Sequence, residues 1–419
     1  MPIILSQMLE AYRWIGALLV LSAHSTNLFV SLHDIMTAPH AAPVYVWWFA
    51  ASFELGHQAV LGFFVMSGYL VGGSVLASIR KGKDFLREYA IHRFARIYVV
   101  TVPALILTFI VDSFGRNFLP NADFYDLPLF AGHYSANVFI GNVLNFQEIH
   151  TPTYGTNSPL WSLACEFWYY ITFPLLLAPL ARNYPNWFRY GGFAVGVAVF
   201  LSLASAPWFR FGFALWVIGA LASLPIRPLI ASRWGALAIY FAALVPIRLL
   251  VRGPLLAAHP WLQDAADLLS SLLLANLMLT VRYSPPEGWN ALRPQFHKTL
   301  ADFSFSLYSI HMPILILLRS IEDSVMGPEW AKQLATPAHW ATLPAAMGVC
   351  IVAAYGFSRL TEANTGAARR YLSAALPRFT PAISQAESVR VFSAKVDAGF
   401  GLESTTKQKS LSGSNPEGL

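Results

Sequence analysis

The sequence is dominated by long apolar blocks, each about 18–25 residues in length, which match the hydrocarbon thickness of a bilayer. Backbone groups in lipid must pair within their own segment, so each block predicts a transmembrane helix. Hydrophobic residues make up 56% of the chain and charged residues only 12%, about half the charged share of a soluble domain. Too little polar sequence remains to cover a soluble all-α core, which disfavours that alternative.

The blocks therefore predict an all-α protein, a polytopic transmembrane helical bundle of about ten spans. A shorter apolar stretch, 137–146, is expected to be re-entrant or interfacial. The expected spans are 12–32, 57–78, 92–114, 159–180, 190–206, 208–224, 234–251, 265–282, 300–320 and 338–359.

Lysine and arginine concentrate in every second loop, whereas the stretch 31–53 contains neither. The positive-inside rule places the basic loops in the cytoplasm, together with both termini. This bias also explains the net charge of +6, so no nucleic-acid partner is expected. The basic loops are represented by Arg80, Arg182, Arg227 and Arg282.

Two regions differ in composition. Residues 1–376 form the predicted transmembrane domain, and the polar stretch 377–419 is expected to be a disordered cytosolic tail. The first apolar block is expected to be retained, because it lacks a convincing cleavage site. Cys165 and Cys350 each lie inside an apolar block, which argues against a disulfide framework.

Ionisable side chains inside the predicted spans are candidates for function, because they are costly in a bilayer. His24 falls near the middle of the first span, in a polar half that is expected to face protein or water, and Glu166 and His311 fall inside the fourth and ninth spans. Each of these residues taken singly also fits a purely structural role. His24 would hydrogen-bond a neighbouring helix, and Glu166 would stabilise the packing of the fourth span. Two histidines and a glutamate at compatible depths nevertheless favour a shared cavity.

The third predicted span opens with Arg93 and Arg96, which are three residues apart and share a helix face. Two guanidinium groups on one face suit a polyphosphate, because each binds bidentately. Taken without other evidence, the residues favour the alternative, arginines that extend toward lipid headgroups and anchor the helix. The spacing leaves both interpretations open.

Five short motifs occur in an order that resembles the acyltransferase-3 family of integral membrane O-acyltransferases, and the resemblance covers about residues 10–365. Leu61 departs from the pattern, because family members often carry an aspartate there. No extracellular esterase-like domain of the kind found in the fused members is expected after the last span. The motifs are RWIGALLVLSAH, which runs from Arg13 to His24, GFFVMSGYL, HRFARIY, SPLWSLACEFWYY and SLYSIHMPI.

The resemblance implies transfer of an acyl group, usually acetyl, from cytosolic acyl-CoA to a hydroxyl of an envelope or exported carbohydrate or glycolipid. Acyl-CoA would be the donor substrate, with no permanently bound cofactor and no metal. The expected location is the bacterial cytoplasmic membrane. The implied CoA-binding residues are Arg13, Arg93 and Arg96. The implied catalytic residues are His24, Glu166 and His311. His24 would be the general base, because the ordinary pKa of histidine, about 6.5, suits that task. Glu166 and His311 would line the acceptor half of the cavity.

Two other functions fit an apolar bundle with buried ionisable groups. A proton-coupled secondary transporter would use His24, Glu166 and His311 as a relay, although no internal repeat of the kind common in transporters is evident. A non-catalytic membrane scaffold leaves the clustering of ionisable groups unexplained. Acyl-CoA hydrolysis or CoA-dependent labelling separates the enzyme from both.

Overall fold

The computed structural model of the chain describes residues 2–30, 55–119, 123–250, 258–285, 294–327, 330 and 337–376. The described part is helical and contains no β-strand, only one isolated bridge between Gln147 and Thr151. The prediction of an all-α protein is therefore confirmed. The stretch 31–53 and the polar stretch 377–419 lie outside the described residues, so the division into two regions stays a prediction.

The helices are numbered here in chain order. The long ones correspond to the ten predicted spans, and α4, α10 and α13 are short. They are α1 (Ile3–Phe29), α2 (Leu55–Arg80), α3 (Leu86–Phe118), α4 (Ala136–Val143), α5 (Trp161–Leu176), α6 (Asn186–Leu203), α7 (Pro207–Ala222), α8 (Arg233–Leu250), α9 (Trp261–Tyr283), α10 (Pro294–Ala301), α11 (Ser304–Met326), α12 (Pro337–Leu360) and α13 (Thr365–Ala375).

Six helical stretches in the part of the chain described are long and apolar enough to cross a membrane. They identify an integral membrane protein. The helices α7 and Arg233–Leu244 are apolar but shorter, so the count of ten spans and the cytoplasmic termini stay predictions. The six are α1, α2, α3, α9, α11 and Pro337–Ala375, which joins α12 to α13.

The first helix begins well before the predicted start at residue 12. Ser6, Gln7 and Glu10 interrupt the apolar pattern of its first turns, so hydropathy alone placed the start too late. Leu5 and Leu9 are nevertheless buried, in a cluster with residues of α9 such as Met278. Packing against another helix extends α1 beyond the apolar block.

Helices α2 and α7 approach each other closely through glycine. A Cβ atom added at Gly219 would collide with the carbonyl oxygen of Val65, and one at Gly68 with the carbonyl oxygen of Trp216. Gly68 also opens a π-helical turn, Gly68–Gly72, within α2. Such turns reorient the side chains around them, and Ser67, which precedes this one, faces the pocket described below.

The segment between α3 and α5 folds back over the end of the bundle. Asp112 of α3 accepts hydrogen bonds from the backbone N–H and the hydroxyl of Thr156, both at 2.8 Å. Asn157 donates to the hydroxyl of Thr108 at 3.0 Å and to the carbonyl of Ser309 at 2.9 Å. Within this segment, residues 137–143 of the apolar stretch 137–146 lie in the short helix α4.

Candidate active site

A cavity of about 450 Å³ opens among α1, α2, α3, α5, α11 and α13. One part of its wall is basic and another is apolar and aromatic. The basic part holds Arg13, Arg93, Arg96 and Arg369, whereas Val60, Phe63, Phe64 and Tyr308 belong to the apolar part. The basic part of the wall suits an anion and the apolar part suits an uncharged group.

The basic wall brings together the three arginines that the sequence singled out and adds Arg369 of α13. The Nε atoms of Arg93 and Arg369 are buried and have no hydrogen-bond partner within the described ranges. A buried donor without a hydrogen-bond partner lowers the stability of the folded protein, and native proteins rarely contain one. These two donors are therefore suited to an anionic ligand.

Aromatic rings support two of the guanidinium groups. Arg93 lies over the ring of Tyr170 and Arg96 over the ring of Phe305, each with its Cζ atom 5.8 Å from the ring centroid. Contacts of this length are attractive and favour one orientation of the planar group. Both arginines are thus partly preorganised on the wall of the cavity.

Arg13 is held by a carboxylate instead. Its Nη2 atom lies 3.5 Å from Oε1 of Glu362. The other carboxylate oxygen of Glu362 accepts hydrogen bonds from the backbone N–H of Ser306 at 3.1 Å and from its hydroxyl at 3.0 Å. Glu362 therefore links α1 to α11 and fixes Arg13 beside the pocket.

Glu166 lies on the wall of the same cavity as the arginines. The hydroxyl of Tyr170 donates to its Oε1 atom. Ser67 lies 3.3 Å from that hydroxyl and accepts from the indole N–H of Trp216 at 3.1 Å. Since the tyrosine proton is committed to Glu166 and the indole can only donate, the bonds run from Trp216 through Ser67 and Tyr170 to Glu166.

The two histidines form a second, separate unit. Nδ1 of His24 lies 2.8 Å from Nε2 of His311. Nδ1 of His311 faces the carbonyl oxygens of Leu307 at 3.1 Å and Tyr308 at 2.8 Å. Carbonyl oxygens only accept, so neutral His311 carries its proton on Nδ1 and its Nε2 is an acceptor. His24 must then donate from Nδ1, which leaves a lone pair on its Nε2.

Tyr308 connects the histidine pair to the cavity. Its backbone oxygen accepts from His311, while its ring faces the cavity. Its hydroxyl lies 2.6 Å from the Oγ atom of Ser162 and donates to the carbonyl of Pro159 at 3.0 Å. Neither His24 nor His311 lines the cavity itself, although His24 is partly exposed.

The structure thus divides the candidate residues differently from the sequence prediction. Arg13, Arg93 and Arg96 come together as expected, and so do His24 and His311. Glu166 and His311 were both expected to line the acceptor half of this cavity, but only Glu166 lines it. Arg369 was not singled out, and its signal was the basic pair Arg369 and Arg370 after the last span.

Apolar spans around an arginine-lined cavity, with a hydrogen-bonded histidine pair beside it, define an integral membrane protein. The chain belongs to the acyltransferase-3 family, since the model of that family's acyltransferase domain matches residues 8–359. The match runs from α1 to the end of α12, so Arg369 lies beyond it. The earlier resemblance is confirmed, and membership favours acyl transfer over transport.

Two curated relatives are similar to this chain. Acyltransferase MdmB of Streptomyces mycarofaciens is 26% identical, over 82% of this chain and 87% of its own length. An uncharacterized protein of Haemophilus influenzae is 32% identical over 123 residues, 27% of this chain and 46% of that protein. No solved structure matches the chain.

Proposed function

We propose that the protein transfers an acyl group, acetyl in the first instance, from cytosolic acyl-CoA to a hydroxyl of an envelope or exported carbohydrate. The acyl-CoA is a substrate and not a resident cofactor. The proposed location is the bacterial cytoplasmic membrane, with the arginine end of the cavity toward the cytoplasm.

The observation that carries the proposal is the basic wall. Arg93, Arg96 and Arg369 meet at one cavity, and the buried Nε atoms of Arg93 and Arg369 have no partner within the described chain. The phosphates of CoA supply several charged acceptors at once, and the planar guanidinium group binds such oxygens bidentately. Snorkelling to lipid headgroups explains neither the shared cavity nor the buried Nε atoms.

The apolar wall suits the other end of the donor. Phe63 and Tyr308 meet edge to face with their ring centroids 6.2 Å apart, and Val60 lies beside them. Along α1, His24 is eleven residues beyond Arg13, or about 16 Å. An extended CoA bound by its phosphates at the arginines therefore directs its thioester toward the histidine end.

The chemistry assigned to His24 follows from its tautomer. Its Nε2 accepts the hydroxyl proton of the acceptor while the hydroxyl oxygen attacks the thioester carbonyl carbon. The carbon–sulfur bond breaks as the tetrahedral species collapses, and the departing CoA thiolate takes the proton from His24. His311 keeps the imidazole in the required tautomer through the Nδ1–Nε2 hydrogen bond.

The direct test uses the full chain in lipid nanodiscs, with acetyl-CoA labelled in its acetyl group. The acceptor is the envelope carbohydrate extracted from a strain that lacks the protein. We expect label to enter the carbohydrate as an ester that mild alkali releases, and His24→Ala to give none. Carbohydrate that stays unlabelled while the protein remains folded would contradict the proposal.

A parallel measurement separates transfer from transport. A proton-coupled transporter would move protons or solute across proteoliposomes without acetyl-CoA. The proposed enzyme requires acetyl-CoA for every event and releases one free CoA for each ester formed. The ratio of CoA thiol released to acetyl ester formed therefore tests the reaction independently of the identity of the sugar.

A further inference from the structure

A second polar cluster lies outside the arginine cavity, where α9 meets α2. Asp267 of α9 is fully buried, and its carboxylate accepts hydrogen bonds from three side chains. These are Nε2 of His57 at 2.9 Å, Nε2 of Gln58 at 3.1 Å and Nε2 of Gln263 at 3.0 Å. Burying a carboxylate in an apolar bundle costs desolvation free energy, so such a residue is a candidate for function.

The hydrogen-bond directions leave two polar atoms of the cluster available. Asp267 accepts only, so His57 donates from Nε2 and its Nδ1 is an acceptor. Gln58 is satisfied on both sides, since its oxygen accepts from Ser270 at 2.7 Å. Nδ1 of His57 and Oε1 of Gln263 make no hydrogen bond within the described residues, and both side chains are partly exposed.

An aromatic wall connects this cluster to the arginine cavity. The indole of Trp208 lies 5.9 Å from the ring of His57 and is 46% exposed. Trp161 lies 5.6 Å from Trp208 and 6.1 Å from Phe64, which lines the cavity. The cluster and the cavity therefore share one continuous wall.

The cluster lies near the level of His24 and away from the arginines. A Cβ atom added at Gly56 would come within 2.9 Å of the Cβ of Ala23, so α2 beside His57 touches α1 beside His24. Arg13 is ten residues back along α1 from Ala23, about 15 Å in a helix. The cluster is thus closer to the proposed base than to the proposed phosphate site.

We propose that Trp208, His57 and Gln263 form the acceptor subsite and bind one sugar ring. The apolar C–H face of a pyranose stacks on the exposed indole, while its hydroxyls donate to Nδ1 of His57 and Oε1 of Gln263. Asp267 holds these two side chains in position. The assignment rests on the proposed function and specifies where its acceptor binds.

The chemistry of the cluster selects an uncharged, hydroxylated ligand. An exposed indole beside neutral acceptors suits a molecule with both an apolar face and hydroxyl donors. An anionic headgroup would meet the carboxylate of Asp267 within the same cluster. A tryptophan that only anchors a helix in the lipid interface needs no such polar neighbours, and this difference defines the control.

The test compares Trp208→Ala with Trp261→Ala, which removes an exposed indole at the start of α9 outside the cluster. The first readout is transfer from labelled acetyl-CoA to the envelope carbohydrate extract. The second is equilibrium binding of the tritiated extract to nanodisc protein without acetyl-CoA. Trp208→Ala should raise the half-saturating extract concentration in both by at least about tenfold, as truncation of an aromatic anchor does.

Half-saturation by acetyl-CoA should stay unchanged in Trp208→Ala, and Trp261→Ala should match the wild type. Trp208→Phe and Gln263→Ala extend the series and should weaken extract binding less. Equal extract binding by Trp208→Ala and wild type would overturn the subsite, whether or not transfer occurs. Extract binding that depends on Trp208 in a protein that transfers no acetyl group would leave the subsite standing and contradict the proposed function.

Discussion

The Nδ1 atom of His24 is 2.8 Å from Nε2 of His311, with the two ring centroids 5.1 Å apart and the ring planes inclined by 9°, so the rings meet edge to edge in nearly one plane. His311 is itself fixed by backbone carbonyls of its own helix. A rigid α-helical backbone therefore determines the tautomer of a side chain on another helix. The two residues are 287 positions apart in the chain, yet in the proposed reaction they act as one unit.

The first prediction concerns this unit. His24→Ala should lower acyl transfer by roughly 10²–10⁴-fold, because the proposed base is lost. His311→Ala should lower it less, since the base remains but its tautomer is no longer held. The double variant should be no slower than His24→Ala alone, because residues that act together are not additive. Turnover numbers measured in nanodiscs at saturating acetyl-CoA test all three.

A double variant that is slower by the product of the two single losses would contradict this coupling. Near-normal turnover in His24→Ala would remove the histidine from the proposed mechanism altogether. Trapping an acetylated histidine would replace direct transfer by two steps.

The second prediction concerns Glu166. Tyr170→Phe removes the hydroxyl that donates to Glu166, whereas Tyr169→Phe removes a hydroxyl that donates to the carbonyl of Phe209 at 2.9 Å. Tyr170→Phe loses two buried hydrogen bonds, the one to Glu166 and the one from Ser67, whereas Tyr169→Phe loses one. Both variants should lower the unfolding free energy, by roughly 1–3 kcal/mol for each buried partner left unsatisfied. Only Tyr170→Phe should also slow transfer, by roughly tenfold, since about 1.4 kcal/mol corresponds to that factor.

Thermal unfolding and transfer rates measured on the same preparations separate the two effects. Equal rates in the two variants would assign Glu166 and its tyrosine to structural support of α5. Glu166→Gln keeps the size of the side chain but removes its charge, and it should reproduce the kinetic defect of Tyr170→Phe.

Much of the helical framework was readable from the sequence, because apolar length is a local property. Each predicted span falls on a helix in the described chain. The meeting of Arg13 with Arg93 was also predictable, because both lie near the start of predicted spans that were expected to cross the membrane in the same direction. Depth in the membrane follows from position along one helix.

The direction in which a side chain faces around its helix axis was not readable, because it depends on packing between helices that are distant in sequence. Glu166 and His311 have compatible depths, yet only Glu166 lines the arginine cavity. His57 and Asp267 lie inside predicted spans without having been singled out, and they pair across 210 positions. Their signal was present as ionisable residues near the ends of two apolar blocks.

The third prediction concerns the contact between α2 and α7. Gly219→Ala should destabilise the protein by about 1–3 kcal/mol, because the added methyl group collides with the backbone of Val65. Gly191→Ala in α6 is the matched control, since a Cβ there meets nothing within 4 Å among the described residues. That variant should be neutral or slightly stabilising, as alanine favours helix over glycine. Thermal unfolding in detergent measures both, and equal midpoints would refute the close packing.

The last prediction concerns the donor. Arg93→Lys keeps the positive charge but loses the planar group and its Nε donor. In the wild type this Nε atom is buried and has no hydrogen-bond partner among the described residues. Loss of one charge-assisted hydrogen bond costs about 1.5–3 kcal/mol, so the half-saturating acetyl-CoA concentration should rise roughly 10–100-fold. Arg116→Lys, at the other end of the same helix, is the control and should leave donor saturation unchanged. Arg369→Lys should behave like Arg93→Lys, although no sequence motif identified it.

If Arg93 only anchored α3 to lipid, lysine would replace it without effect, because snorkelling needs only a long cationic side chain. Unchanged donor saturation in both Arg93→Lys and Arg369→Lys would therefore assign these arginines to the membrane surface and leave the CoA phosphates to another site.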